Sequence, residues 1–354
     1  MSTIDAIQRD AVRPVEGVDL PGYVVRHYRG LEDVPAMADA LAAANRAAGS
    51  VETRSVEAML AQYRNLDHCD PDEDIVVVEA DRTTVAYQRT WWADRNEGAR
   101  GFEAVSFVHP DHAGRGIEDA LLAIGVRRQE ALATTMAGEL GDRPAFLVRF
   151  VRGGDPADVA RLEAAGFTPE RRHAELCRPD FEAIPDAAPP AGIVLSRVDP
   201  TDASVLRRAW DVATEAFAES YGEHAESEVE YRHWIESPEC QPGLWCVAVD
   251  TATGEVAGQI LNYLAPAEAD GSIVGWTESI GVRPAYRRRG IATAMLAESL
   301  RIVRDAGATR AALGVDQQNP NEAMTLYQRL GFRVTVEELE LHRPLPAPGQ
   351  GSAR

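Results

Sequence analysis

The stretch Arg283-Pro-Ala-Tyr-Arg-Arg-Arg-Gly-Ile-Ala292 decides how this chain folds. Before it, Ile273 to Val282 has the pattern of a strand. After it, helical spacing runs to about Ala306 and stops before Gly307. The stretch therefore joins a strand end to a helix start. The first N–H groups of a helix lack internal partners and carry partial positive charge, which suits a phosphate. Gly290 lets the backbone come close to a ligand, and Ala292 keeps the next turn small. Arg287, Arg288 and Arg289 add charge beside those N–H groups. Such a loop can cradle a pyrophosphate. An ordinary strand–helix turn with exposed arginines uses the same residues.

Working outward, the second half predicts a regular order of elements. Ile193–Arg197 is a strand. Thr201–Ser220 is a helix that Thr201 or Asp202 can cap, and a second helix covers Glu226–Ile235. Leu244–Val249 and Glu255–Leu261 form a hairpin across Asp250–Gly254. Beyond the long helix come a strand at Arg310–Val315, a helix over Pro320–Leu330 and a last strand or two within Phe332–Leu345.

The first half repeats this order. Its strands are Tyr23–Tyr28, Ile75–Glu79, Val85–Trp92, Phe102–His109 and Phe146–Val151, with two helices within Leu31–Leu66 and another over Pro156–Ala165. One spacing pairs Pro110 with Pro284, Gly116 with Gly290 and Ile117 with Ile291. The Pro- and Ala-rich run between Asp180 and Ile193 reads as a linker. The expected architecture is α/β of the mixed α+β kind. It has one domain over 1–180, a linker over 181–192 and a second domain over 193–354, each a mostly antiparallel sheet flanked by helices.

Composition narrows the function. The 354 residues suffice for two cores, and 45% of them are hydrophobic. The formal net charge is −20, and every one of the 36 basic residues is Arg. That charge argues against a nucleic acid partner and suits a cationic acceptor, though an acidic surface also serves solubility. No apolar run is long enough to span a membrane, and Met1–Ala11 lacks a signal-peptide core, so a cytoplasmic protein is expected. The four cysteines show no zinc spacing and no metal is expected. Nothing in the sequence sets an oligomeric state.

Arg287-x-x-Gly290-x-Ala292 resembles the Arg/Gln-x-x-Gly-x-Gly/Ala signature of the GNAT acetyltransferase superfamily. Ser279-Ile-Gly-Val-Arg-Pro284 resembles that family's fourth strand. Asn319-Pro-x-x-Ala323-x-x-x-Tyr327-x-x-x-Gly331-Phe332 resembles its last helix and the turn after it. The match covers Ile193–Leu345 well and Tyr23–Cys177 weakly. Two such domains in tandem, the better motif second, resemble mycothiol synthase-like enzymes.

The resemblance implies acetyl-CoA as co-substrate and a small-molecule primary amine as acceptor. The backbone from Arg288 through Ile291 and Ala292 to Thr293 would hold the CoA pyrophosphate. Ile280, Gly281 and Val282 would pair with the pantetheine arm where the fourth strand splays from the fifth, often at a bulge. Asn319 would bond the same arm, beside Ala323. Glu278 would serve as base, a backbone N–H such as that of Val282 would stabilise the oxyanion, and Tyr327 would protonate the leaving thiolate. Tyr221, Glu226 and Tyr231 would line the acceptor site.

Each assignment has a plainer counterpart. Asn319 with Pro320 and Glu322 is also a capped helix start. Tyr327 is also a core aromatic, and Glu278 also a salt-bridging strand residue, with Glu226, Glu228 or Glu230 able to supply a base through water. A charged amphipathic helix accounts for most of the 221–234 cluster. In the first half Ala113, Gly116 and Glu118 stand where the second has Arg287, Gly290 and Ala292, and Leu162 replaces Tyr327. A carboxylate at Glu118 opposes a pyrophosphate, so the first domain is expected to have lost cofactor chemistry. The competing reading is a catalytically silent CoA-binding or structural protein of the same fold.

Overall fold

The structure, a computed structural model, describes residues 13–218, 227–268, 270–318 and 323–346. Its strands are β1 (Val24–His27), β2 (Ile75–Ala80), β3 (Thr83–Asp94), β4 (Arg100–Val108), β5 (Ala145–Arg152), β6 (Thr168–Arg178), β7 (Ile193–Arg197), β8 (Cys246–Asp250), β9 (Val256–Leu264), β10 (Val274–Val282), β11 (Arg310–Asp316) and β12 (Arg333–Pro344). The chain forms two compact units. One comprises Met1–Gly49, Met59–Glu170 and Glu338–Arg354; the other comprises Ser50–Ala58 and Arg171–Glu337.

In the first unit the strand order is β1-β2-β3-β4-β5, completed by Glu338–Pro344 of β12 antiparallel to β5. In the second it is β7-β8-β9-β10-β11, completed by His173–Arg178 of β6 antiparallel to β11. Among the described residues each sheet has a single parallel pair, β4 with β5 and β10 with β11. Each unit thus takes its last strand from the other's stretch of sequence. The second unit also takes Ser50–Ala58 from the first half. Glu175 on β6 accepts a hydrogen bond from the Ser50 hydroxyl and a 2.9 Å bond from the Val51 N–H. Val51 packs against Tyr263, Val274 and Ala312.

Alternation along the central strands of the second unit builds two cores, one on each face. Cys246, Ala248, Ile260 and Leu313 point to the helix Ile291–Asp305, where Met295, Leu296 and Leu300 meet them. Val247, Val256 and Leu261 point to the other face, under the helices Ala203–Phe217 and Glu228–Glu236, with Val212, Trp210, Trp234 and Trp245. The strand exchange carries an expected result. A fragment of residues 193–354 lacks both β6 and Ser50–Ala58, so β11 is left with an open edge. It should show no cooperative thermal transition by circular dichroism, whereas the full chain should. A sharp transition in the fragment would show that the exchanged strand is dispensable.

Candidate functional site

The loop after β10 owes its shape to two left-handed residues. Gly290 caps the Ile291–Asp305 helix at φ 87° and ψ 2°, and Arg288 sits at φ 61°. A non-glycine residue in that region costs about 1 kcal/mol or more, a strain typical of ligand-binding loops. Alternating right- and left-handed residues turn successive N–H groups to one side, which forms a concave anion site. Arg288, Arg289 and Gly290 are exposed and Ile291 is buried beneath them. Arg287 is turned away. Its Nε donates to the Val282 carbonyl at 3.1 Å and its Nη2 to the Ala216 carbonyl at 3.0 Å, so it ties the strand end to the Ala203–Phe217 helix. Arg289 lies 5.4 Å over the Tyr286 ring.

Beside this loop the sheet opens. β10 pairs with β11 only from Val274 to Thr277. From Ser279 to Val282 it continues paired with β9 alone, while Ala311–Asp316 of β11 pairs with β6. The backbone of Ile280, Gly281 and Val282 on the β11 side is therefore free of strand partners. A register shift between Thr277 and Ser279 places a bulge at Glu278.

Two cross-strand side-chain bonds pin that bulge. Below it, Thr277 Oγ1 donates to Asn262 Oδ1 at 2.9 Å, which also accepts from Ser299 Oγ at 2.9 Å. Above it, Gln259 Nε2 donates to Ser279 Oγ at 2.8 Å. The extra residue changes the parity of the strand. Thr277 faces the Ile291–Asp305 helix, Glu278 and Ser279 both face the other way, and Ile280 and Val282 return to the first face. Glu278 is consequently exposed, on the side of the Glu228–Glu236 helix. There Trp234 Nε1 donates to Glu278 Oε2 at 3.3 Å.

Trp234 belongs to an aromatic group. It stacks on Trp245 at 4.9 Å, with Trp210 at 5.1 Å and Tyr231 at 6.0 Å. Arg207 lies 4.7 Å over the Tyr231 ring, which packs against this core. Glu228 pairs with Arg207 at 2.8 Å, and Glu230 forms a capping box with Ser227. Both acids are thus engaged in holding their helix. Tyr221, Glu226 and Asn319 lie outside the described residues.

Tyr327 is buried on the Ala323–Arg329 helix, with Phe332 at 6.2 Å, and Ala323 and Phe332 pack in the same core. Burial pushes its phenol up to about 12, so the hydroxyl stays protonated at neutral pH and acts as a donor. Burial likewise pushes Cys69, Cys240 and Cys246 up to about 12 and raises Cys177. Thiols held protonated in this way are poor nucleophiles. Among the described residues no group of acids, histidines or cysteines could hold a metal, and no helix is long and apolar enough to cross a membrane.

The first unit has the same loop with a different occupant. Gly116 caps the Ile117–Thr135 helix at φ 87° and ψ 0°, and Gly114 at φ 71° stands where the second unit has Arg288. Here Glu118 Oε1 accepts from the Gly114 N–H at 2.8 Å. The loop binds its own carboxylate, whereas among the described residues no side chain accepts from the Arg288 N–H of its counterpart. Leu162 is buried in the place of Tyr327, and the turns match, with Phe167 and Phe332 each donating an N–H to the residue five positions earlier.

A splayed parallel pair beside a glycine-capped helix is present in both units. Residues 206–332 match the Acetyltransferase (GNAT) family, and the chain resembles N-acetyltransferases of tandem GNAT architecture. It is 27% identical over 341 residues to a mycothiol acetyltransferase of Parafrankia sp. (strain EAN1pec), covering 88% of this chain and 95% of that protein. It is 28% identical over 304 residues to the mycothiol acetyltransferase of Salinispora arenicola (strain CNS-205), covering 85% and 91%. The solved GCN5-related N-acetyltransferase of Sphaerobacter thermophilus superposes with TM-score 0.67 at 25% identity, covering 92% and 96% of the two chains. A tandem GNAT protein from the clavulanic acid biosynthesis pathway shares the fold, with TM-score 0.59 at 18% identity over 91% and 98%.

Proposed function

We propose that the second unit transfers an acetyl group from acetyl-CoA to a primary amine of a small molecule by direct attack on the thioester. The splayed strand and its bulge carry this reading, because they expose Glu278 beside a stretch of β10 that has no β11 partner. The N–H groups from Arg288 to Thr293 would hold the pyrophosphate, with Arg289 and Arg288 at the rim. Ile280, Gly281 and Val282 would pair with the pantetheine arm as an added strand does. Asn319 and Ala323 would flank the same arm.

An alkylamine is mostly protonated at pH 7, so a base must free its lone pair. Glu278 takes that proton, directly or through a water. The amine nitrogen then attacks the thioester carbon, and an N–H at Val282 meets the oxyanion. As the C–S bond breaks, the Tyr327 hydroxyl gives its proton to the sulfur, the amide nitrogen releases its remaining excess proton to water, and water reprotonates the tyrosine. No covalent enzyme intermediate is needed, consistent with four protonated thiols. The exposed carboxylate and the acidic surface favour a cationic acceptor, and the likeness to mycothiol acetyltransferases makes their amine acceptor the first to test.

Purified protein, acetyl-CoA and a panel of primary amines containing that acceptor should release CoA thiol only when an amine is added. Release independent of amine, or none with any amine, would favour a silent CoA-binding protein. Tyr327→Phe should lower kcat about 10- to 100-fold with little change in acetyl-CoA affinity. An unchanged kcat would remove Tyr327 as the sulfur donor.

A further inference from the structure

We infer that Trp234 is a positioning residue for the carboxylate of Glu278. This rests on the reading of Glu278 as the base. The indole nitrogen donates to Glu278 Oε2 at 3.3 Å. The ring is 7% exposed and cannot turn freely. It is stacked on Trp245, itself 1% exposed, with an interplanar angle of 19°, and Trp210 closes on it from the side. An exposed carboxylate on a strand bulge has three free torsions, and burying one oxygen's partner in a packed core removes most of that freedom. The indole N–H holds Oε2 in one place.

The arrangement also couples the acceptor-side helix to the base. Trp234 rides on Glu228–Glu236, whose start is locked by the Ser227–Glu230 capping box. Any shift of that helix moves the donor and so the carboxylate. Among the described residues, Arg54, Cys240 and Tyr263 feel the charge of Glu278, with Glu239 and Glu52 beside Arg54. Cys240 and Tyr263 are protonated across the working range, and Arg54 remains charged, so none of them mimics the effect of losing the indole N–H.

Trp234→Phe keeps an aromatic ring in the stack and removes the donor. Amine-dependent acetyl transfer by the full chain should show kcat reduced about tenfold and the acetyl-CoA KM unchanged. Wild-type kcat would overturn the inference. Should Trp234→Phe not fold, β-(3-benzothienyl)alanine at position 234 removes only the N–H from an otherwise similar ring and is read the same way. A double variant separates this from the base assignment. Trp234→Phe should add little to Glu278→Gln, because it acts through that carboxylate. If Glu278→Gln alone keeps full activity, the base assignment falls. If Glu278→Gln abolishes activity while Trp234→Phe leaves it intact, only the positioning role falls.

Discussion

Gly290→Glu should abolish acetyl-CoA binding while leaving the protein folded. Gly290 is exposed, and a Cβ built there meets nothing within 4 Å, so packing is not disturbed. Its φ of 87° is unfavourable for a side chain, which should cost roughly 1 kcal/mol of stability. The larger effect is electrostatic. A carboxylate at the helix cap would bring negative charge to the N–H groups that suit a phosphate, as Glu118 does beside the matching loop of the first unit. Losing about 3 kcal/mol of charge-assisted bonding weakens binding about 100-fold or more. Calorimetric titration checks this, with circular dichroism confirming the fold. Binding of normal strength would move the cofactor away from this loop.

Glu278→Gln should lower kcat about 100- to 10,000-fold, the range a positioned general base contributes. The substitution keeps the shape and leaves an oxygen able to accept from Trp234. Acetyl-CoA affinity should hardly change, since in the proposed mode backbone groups further along β10 and the loop would hold that molecule. A second sign should accompany the loss. Raising the pH increases the fraction of free amine, so the variant should recover activity as pH climbs toward the acceptor's own pKa. A variant with wild-type kcat at neutral pH would show that another group takes the proton. Glu228 and Glu230 are poor substitutes because Arg207 and Ser227 already engage them.

Much of this was legible in the sequence, for local reasons. The loop Arg283–Ala292 stands out because a glycine after three arginines, between a strand and a helix, combines backbone freedom with positive charge at a helix start. The matched spacing of Pro110, Gly116 and Ile117 with Pro284, Gly290 and Ile291 gives the repeat, and both caps adopt the same backbone angles. Asp202 caps its helix through the Ser204 N–H, as its type and place suggest.

What stayed hidden is set by contacts distant in sequence. β6 has the polar run Thr168-Pro-Glu-Arg-Arg-His before its apolar end, so no strand pattern stands out, and its partner β11 lies far along the chain. The exchange of last strands follows from register, which no local window contains. Ser50–Ala58 joins the second unit through Glu175 and Tyr263, neither of which is near it in sequence. The Trp234–Glu278 bond needs the bulge, and the bulge is held by Gln259 and Asn262 on a neighbouring strand. A hint was present. Polar residues at Gln259, Asn262, Thr277 and Ser279, inside otherwise apolar strands, mark side chains that must find one another.

On the proposed reading the second unit binds acetyl-CoA and the first has closed its own loop. Titrating acetyl-CoA into the full chain by calorimetry tests it most directly. One molecule bound per chain is the predicted result, at the loop of the second unit, since that of the first is filled by Glu118. Two molecules per chain would contradict it, because the first loop would then release its carboxylate for a phosphate.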